Sequence, residues 1–341
     1  MKPRHRIVIT QRFFDPEAVA FLQANDCEVV IAEPDRGQTE GQWSERQLIA
    51  LLNEADGWIV GHANITASLL GSLPRLKVIA RRGVGYERVD TAAVIATGKV
   101  ATIAPGGNDA SVADHTVGLM LAVCRKLKQC QAGLAGGDWT IPLGNDLYGK
   151  TVGVVGLGRI GRAVVQRLSG FDVTTLIHTP HPDEALKSSG QGCRFVDLQT
   201  LLKQSDFITL HAPLTPQTLG MIDSQALASM KRSAVLINAA RGGLVRDADL
   251  LLALQQDLIA GAGLDVFESE SDPALAAVSE QLIQLPNVVT TPHVAASTVE
   301  GLNRTNLIAA RCAMAVLQGG NPPGHCVIAD GRQATAPRVT P

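Results

Sequence analysis

The sequence has little net charge, no long apolar run and no paired cysteines, and each absence closes off a class of function. Its 30 lysines and arginines nearly balance 32 aspartates and glutamates, for a formal net charge of −2. That leaves no basic footprint for nucleic acid or an anionic membrane surface. No apolar stretch approaches the ~20 residues of a membrane span. The opening Met1-Lys-Pro-Arg-His-Arg6 is basic, but the apolar sequence after it is only Ile7-Val-Ile9, which predicts a first strand and not a signal peptide. The six cysteines (Cys27, Cys124, Cys130, Cys193, Cys312, Cys326) are scattered without a C-x-x-C pair. They are expected to be core thiols in a reducing cytoplasm, with no metal site and no disulfide framework. What remains, 45% hydrophobic and 18% charged over 341 residues, is the composition of a globular protein with core enough for two domains.

The most informative stretch is Thr151-Val-Gly-Val-Val-Gly-Leu-Gly-Arg-Ile-Gly161, followed by the amphipathic run Arg162–Leu168. It reads as a buried strand, a tight turn and a helix, with Gly156, Gly158 and Gly161 in the G-x-G-x-x-G spacing. The first glycine permits the turn, the second lets backbone approach a pyrophosphate, and the third lets helix pack on strand. In a chain with 33 glycines the spacing alone is weak. Its place between a strand and a helix N-terminus makes it a nucleotide turn.

The first hundred residues repeat a strand-then-helix rhythm. Strands are predicted at 6–10, 28–31, 57–60, 77–80 and 100–103, and helices include Pro16–Ala24 and Ser44–Leu52. Such alternation implies a parallel sheet covered on both faces. Arg82-Gly-Val-Gly85 follows one of these strands, either as a ligand turn or as a simple chain reversal. After the turn cluster Ala104-Pro-Gly-Gly107, one long helix is expected to about Cys130, apolar on more than one face and so buried in a core or against a second subunit. Past the nucleotide turn the rhythm resumes, with strands at 172–177, 206–210, 234–238, 260–265 and 288–290. Helices are predicted near 198–204, 225–230 and 248–256. A last helix runs from a Ser297 cap to Gln318, and the polar tail beyond Ile328 is expected to be disordered.

Three residues stand at the carboxyl ends of predicted strands. Arg241 follows Val235–Ala240; an arginine there suits a carboxylate. His293 follows Val288–Pro292, and Glu270 lies in the loop after Gly263-Leu-Asp-Val-Phe267. A histidine beside a carboxylate forms a general acid/base pair. Singly each has a bland reading; together, beside a dinucleotide turn, they mark a site.

The chain resembles the D-isomer-specific 2-hydroxyacid dehydrogenase family, in its D-3-phosphoglycerate dehydrogenase-like branch. The matching residues are Gly83-Val-Gly-Tyr-Glu-Arg-Val-Asp90, Asn108 through Val112-Ala-Asp-His115, Trp139, Gly149-Lys-Thr-Val-Gly153 and the Gly156–Gly161 turn. They continue through His211-Ala-Pro-Leu214, Asn238-Ala-Ala-Arg-Gly-Gly243, Gly263–Phe267 and Thr291-Pro-His293. The match runs over nearly the whole chain, in the family's order. The resemblance implies an α/β fold of two Rossmann-like (flavodoxin-like) parallel-sheet domains, of the formate/glycerate dehydrogenase type. A discontinuous substrate domain (1–104 and 295–328) would be clamped against an inserted dinucleotide domain (105–294) that carries a dimerisation helix, with 329–341 as the tail. It also implies NAD or NADP as cofactor, a small 2-hydroxy or 2-keto acid as substrate, and a homodimer.

Residue by residue, the resemblance gives Arg241 the substrate carboxylate and the C2 oxygen, His293 the transferred proton, and Glu270 the pairing with His293. Val84 and Gly85 would cradle the carboxylate, and Asn108 would join them at the substrate. Asp265 would meet the nicotinamide carboxamide, and Arg159 and Ile160 the pyrophosphate. Thr179, His211, Ala212, Pro213, Ala239, Ala240 and Ala295 would line the remaining cofactor path. Several positions depart from the family. Thr179 stands where an acid would bind the adenosine ribose, so nothing there repels a 2′-phosphate. Asp114 replaces a glutamate, and Ser271 a proline. Gly61 or His62 stands where phosphoglycerate enzymes carry an arginine against the substrate phosphate. The chain is expected to end without the regulatory domain of some relatives. The function so implied is an NAD(P)-dependent oxidoreductase acting at C2. The alternative is an NADH-sensing, protein-binding module of the corepressor type; formate oxidation is disfavoured by Glu270.

Overall fold

In the computed structural model the described residues are 4–35, 38–184, 186 and 192–332. They divide into two α/β units, one running to Asn108 and resuming at Thr298, the other spanning Asp109–Ser297. The first unit begins β1 (His5–Ile9), α1 (Pro16–Ala24), β2 (Cys27–Ile31), α2 (Glu45–Leu52), β3 (Gly57–Val60), α3 (Ala67–Gly71), β4 (Val78–Arg81), α4 (Thr91–Ala96) and β5 (Val100–Thr102). The second holds α5 (Asp109–Cys124), α6 (Leu127–Ala135), β6 (Thr151–Val155), α7 (Arg159–Leu168), β7 (Thr174–His178), β8 (Cys193–Phe195) and α8 (Leu198–Gln204). It continues with β9 (Phe207–Leu210), α9 (Ser224–Ala228), β10 (Val235–Asn238), α10 (Asp247–Gln255), β11 (Gly261–Leu264), α11 (Ala276–Gln284) and β12 (Val288–Thr290). The chain then returns to the first unit with α12 (Val299–Leu317) and β13 (Val327–Asp330).

In the first unit β2-β1-β3-β4-β5 run parallel, with β13 antiparallel on the β5 edge. β3 and β4 are buried at every residue, as strands covered on both faces require. Helix starts obey the capping rules: the Asp15 side chain accepts from the Glu17 amide ahead of Pro16, and Ser44 forms a reciprocal box with Gln47. The sheet order reverses between β1 and β3, and Glu40, 1% exposed, closes that point. Its carboxylate accepts from the amides of Gly61, His62 and Ala63 and from the Thr10 hydroxyl, which keeps a buried charge hydrogen-bonded. The second unit is a seven-stranded sheet in the order β12-β11-β10-β9-β6-β7-β8. All its ladders are parallel, and its order reverses at β6. No helix among the described residues is long and apolar enough to cross a membrane.

Four expectations need correction. The long helix after Asn108 is two helices, because Lys126 adopts a left-handed backbone (φ 53°) between α5 and α6; apolar periodicity does not register one such residue. The apolar faces of α5, including Val112, Val117, Leu119 and Met120, are buried within their own unit, against α7 and β10–β12. The last helix is capped by Thr298, whose hydroxyl accepts from the Gly301 amide at 2.9 Å, and not by Ser297. Ordered chain also continues past Ile328: Ala329 and Asp330 pair with β5, while 333–341 lie outside the described residues. The units part at Asn108/Asp109 and Ser297/Thr298, a few residues beyond the sequence-derived boundaries. The edge strand β8 and the short helices α3, α4 and α11 carried too little pattern to be predicted.

One buried carboxyl ties the start of α10 to the loop after β11. Asp247 is 2% exposed. Its amide donates to Glu268 at 2.8 Å, and the Glu268 amide donates back to Asp247 at 2.9 Å. Burial, helped by the charges of Glu268 and Glu270, pushes the Asp247 carboxyl up to about 7. Below pH 4 the folded and unfolded states are both protonated at this group. Between pH 4 and 7 only the folded state keeps the proton, so its contribution to stability falls as pH rises, and above 7 it stays flat. Asp247→Asn keeps the acceptor and removes the titration. We expect the stability of the variant relative to wild type, from urea unfolding, to grow between pH 4.5 and 7.5 by as much as about 3 kcal/mol; a difference independent of pH would contradict this.

Candidate active site

Every sequence-predicted residue of the second unit lies at the carboxyl edge of its sheet, in the order of the strands. Gly156 follows β6, His211 follows β9, Arg241 follows β10, Asp265 follows β11, and His293 comes just after β12. Parallel strands force this arrangement, since each ends on the same edge. The reversal at β6 opens the crevice in which such sheets bind ligands.

At that crevice Gly156 has φ 96°, and a side chain on it would press on the His211–Ala212 backbone. Gly161 lies against the Gly156 carbonyl. Packing alone demands these two. Gly158 differs, because nothing lies within 4 Å of where its Cβ would stand. It is the N-cap of α7, with no side chain closing the helix end. Open space therefore faces the first-turn amides of Arg159, Ile160 and Gly161, which lack intrahelical acceptors and sit at the positive end of the dipole. These residues fit the pyrophosphate of a dinucleotide; a purely structural turn would leave Gly158 unexplained. Arg159 is held beside the turn by Asp109 at 2.7 Å. His211, whose Nε2 is 2.9 Å from the Thr209 hydroxyl, leads into Ala212 and Pro213, while Ala239 and Ala240 extend the edge after β10. β7 ends on His178, and the Thr179 hydroxyl accepts from the His181 amide at 3.3 Å. Asp183, further along, pairs with Arg162.

Glu270 and His293 are brought together: His293 Nδ1 donates to Glu270 Oε2 at 2.6 Å. The other oxygen of Glu270 accepts from the Phe267 amide at 2.9 Å, so the carboxylate is fixed at both ends. A hydrogen on Nδ1 leaves Nε2 as the nitrogen that exchanges a proton with a ligand. Both side chains are about one-third exposed (36% and 35%), as proton exchange with a small molecule requires. Arg241 follows β10, two strands along the same edge, and its Nη1 donates to the Ala240 carbonyl at 2.6 Å. Its loop is folded by buried Asn238, whose side chain donates to the Arg241 carbonyl at 2.8 Å and accepts from the Ala240 amide at 3.1 Å. Gly242 packs directly on the Phe267–Glu268 backbone, where any Cβ would collide. That contact sets the arginine loop against the glutamate loop.

Asp265 is fully buried, and both its oxygens accept from the chain just past the histidine: Oδ1 from Val294 at 2.8 Å and Oδ2 from Ala295 at 2.9 Å. Sequence reasoning missed this use, along with the Thr291 hydroxyl and the His115 ring that adjoin it. Asp265 and His293 were both singled out, but only coordinates show side chain meeting backbone. In the first unit, Val84 and Gly85 are half-buried in the loop after β4. Asn108 is buried, with its amide oxygen lacking a hydrogen-bond partner among the described residues. A Cβ at Gly61 would meet the side-chain amide of buried Gln11, whereas neighbouring His62 is exposed. Asp114 pairs with Arg167, joining α5 to α7.

Residues 117–295 match the family model for the D-isomer specific 2-hydroxyacid dehydrogenase NAD-binding domain. The chain is 37% identical over 317 residues to a glyoxylate reductase of Thermofilum pendens, covering 90% of this chain and 91% of that one. It is 38% identical over 289 residues to the D-3-phosphoglycerate dehydrogenase of Mycobacterium tuberculosis, covering 83% of this chain but only 54% of that protein; it thus spans about half the length of that relative. Among solved structures, an NADPH-dependent glyoxylate/hydroxypyruvate reductase of Sinorhizobium meliloti superposes with a TM-score of 0.79 at 31% identity, covering 96% of this chain and 99% of that one. The chain belongs to the D-isomer-specific 2-hydroxyacid dehydrogenase family.

Proposed function

We propose that the protein is an NAD(P)-dependent oxidoreductase that interconverts a small 2-keto acid and the D-2-hydroxy acid. The carrying observation is the Glu270–His293 hydrogen bond, set on the same sheet edge as Arg241 and the Gly156–Gly161 turn. A bound nicotinamide dinucleotide supplies the hydride for C2. Arg241 binds the substrate carboxylate and polarises the C2 oxygen. During reduction the His293 imidazolium gives its Nε2 proton to the forming alkoxide; during oxidation neutral Nε2 takes the hydroxyl proton. Glu270 holds the ring orientation and stabilises the imidazolium. The lack of an acid at Thr179 supports use of NADPH as well as NADH. The lack of an arginine at Gly61 or His62 favours short substrates such as glyoxylate and hydroxypyruvate over 3-phosphoglycerate. The six cysteines are all free, which supports a reducing, cytoplasmic setting.

A homodimer is the second part of the proposal. The apolar surface that supports it lies past α5: Leu127, Leu134, Trp139, Ile141, Leu143 and Tyr148 are 50–91% exposed. Large apolar side chains clustered so closely are uncommon on a monomer, and a second copy of the chain would cover them.

Three outcomes are expected. Wild type consumes NADH or NADPH with at least one member of a short 2-keto acid panel, and His293→Ala loses about 10²–10⁴-fold in kcat; no turnover with any member, despite tight cofactor binding, would point to a cofactor sensor. Gly158→Val weakens NADH binding, read by fluorescence titration, by at least about tenfold and leaves the melting temperature unchanged, whereas Gly161→Val lowers it; equal melting losses would reduce Gly158 to a structural turn. In sedimentation, wild type runs as a dimer and the Trp139→Ser/Ile141→Ser double variant as a monomer, and an unaltered profile would remove this segment from the interface.

A further inference from the structure

Helix α10 begins without a local cap. Its N-cap position is Arg246, whose side chain makes no capping hydrogen bond; serine, threonine, aspartate or asparagine there would close the helix from within. The first-turn amide of Asp247 is satisfied instead from 21 residues away, by Glu268 Oε2 at 2.8 Å. Glu268 opens the short turn Glu268–Glu270, which carries the partner of His293. The bond is returned, since the Glu268 amide donates to Asp247 Oδ2 at 2.9 Å. Both carboxyls are withdrawn from water, Asp247 to 2% exposed and the Glu268 side chain to 11%.

Two neighbouring buried carboxyls are an expensive way to start a helix. The charged groups around Asp247 are Glu268 and Glu270 on the turn and Arg246 beside it, which pairs with Glu268 Oε1 at 3.6 Å. A serine at position 246 would cap α10 without burying any charge. What the carboxyls add is a tie between two segments that leave different strands. After β10 the chain passes Arg241, touches the Phe267–Glu268 backbone at Gly242, and enters α10 at Asp247. The turn is thus fastened to this segment twice, by the close approach at Gly242 and by the reciprocal bonds at Asp247. One contact is a pivot; two fix an orientation. On its other side the Ser269 hydroxyl accepts from that of Ser279 on α11 at 2.8 Å.

We infer that Asp247 and Glu268 are positioning residues for the reaction: their reciprocal hydrogen bonds fix the turn that carries Glu270, and through Glu270 the ring of His293. The inference rests on the proposed proton-transfer role of His293. It gives a use to the missing local cap, because the orphan amide of α10 is spent on holding the catalytic turn in place.

The test compares Asp247→Ala and Glu268→Ala with the conservative Asp247→Asn and Glu268→Gln, using the full chain. Asparagine keeps an acceptor for the Glu268 amide, and glutamine keeps one for the Asp247 amide. Burial and the neighbouring charges raise the Asp247 carboxyl to about 7, so at pH 6 it is mostly protonated and asparagine matches it in charge. At that pH each alanine variant should lower kcat about 10–100-fold, while KM for the keto acid and the NADH dissociation constant stay within about threefold. The conservative variants should recover most of the rate. Added to Glu270→Ala, either alanine change should cost no more than about a further twofold, since its effect runs through Glu270. An equal loss with and without Glu270, or a loss explained by KM or NADH affinity, would overturn the inference. Should one alanine variant fail to fold, the other breaks the same pair from the opposite partner. Hydrogen exchange of the Phe267 amide, which donates to Glu270, gives a readout independent of turnover. It should speed up in Asp247→Ala and Glu268→Ala and not in Asp247→Asn. Unchanged exchange in the alanine variants would overturn the inference, whereas a wild type that turns over no keto acid would count against the proposed function itself.

Discussion

The hydrogen bond between His293 Nδ1 and Glu270, 2.6 Å long, is the interaction on which the rest of the structure depends. An imidazole can exchange a proton at Nε2 reliably only if the tautomer is held and the positive form is stabilised, and one carboxylate does both. Making that bond requires residues from two strand ends, 23 positions apart in sequence, to meet at the surface of a sheet. The parallel ladder brings them to the same edge. The Phe267 amide then fixes the glutamate, the Asp265 carboxylate holds the Thr291 hydroxyl before the histidine and the Val294 and Ala295 amides after it, and Gly242 lets the arginine loop press on the glutamate loop. Each support is a backbone group or a buried polar atom with its hydrogen bonds made, so the site owes its geometry to the rigid part of the unit.

The two sheets divide the chemistry by their order. In the second unit the order reverses at β6, so the Gly156–Gly161 turn lies on one side of the switch point and His211, Arg241, Asp265 and His293 follow in a row on the other. In the first unit the reversal between β1 and β3 is sealed by Glu40, and the loop after β4 carries Val84 and Gly85. The selectivity proposed for the site rests on Thr179 standing where an acid would exclude a 2′-phosphate and on Gly61 and His62 standing where an arginine would meet a substrate phosphate.

Much of this was legible in the sequence, for identifiable reasons. Fully buried parallel strands such as β3, β4, β9 and β10 announce themselves as short apolar runs, and α1 was delimited to the residue because Asp15-Pro16 is an unambiguous start. The dinucleotide turn and the Arg241, Glu270 and His293 positions were readable because strand ends locate chemistry without any knowledge of packing. What could not be read depends on contacts between distant parts of the chain. The left-handed break at Lys126 interrupts a hydrophobic pattern that continues on both sides. β13 forms only because β5 offers an edge. The carboxylate of Asp265 could be assigned to a ligand or to the loop, and its partners, the amides of Val294 and Ala295, leave no trace in side-chain identity. The raised pKa of Asp247 likewise follows from burial beside Glu268, which no local spacing signals. The expected helix running to Cys130 is split at Lys126: its first part, α5, packs its apolar faces inside its own unit, while Leu127 beyond the break is exposed.

The central claim is that Arg241 and His293 serve the transfer of a hydride to C2 of a small keto acid. Its most direct test uses a reduced nicotinamide dinucleotide deuterated at C4 on the transferred face, in a single turnover with glyoxylate or hydroxypyruvate and product analysis by mass spectrometry. One deuterium at C2 of the 2-hydroxy acid, of D configuration where C2 is a stereocentre, is the predicted result. A bound cofactor that is released unoxidised, with no deuterated hydroxy acid from any keto acid supplied, would contradict it.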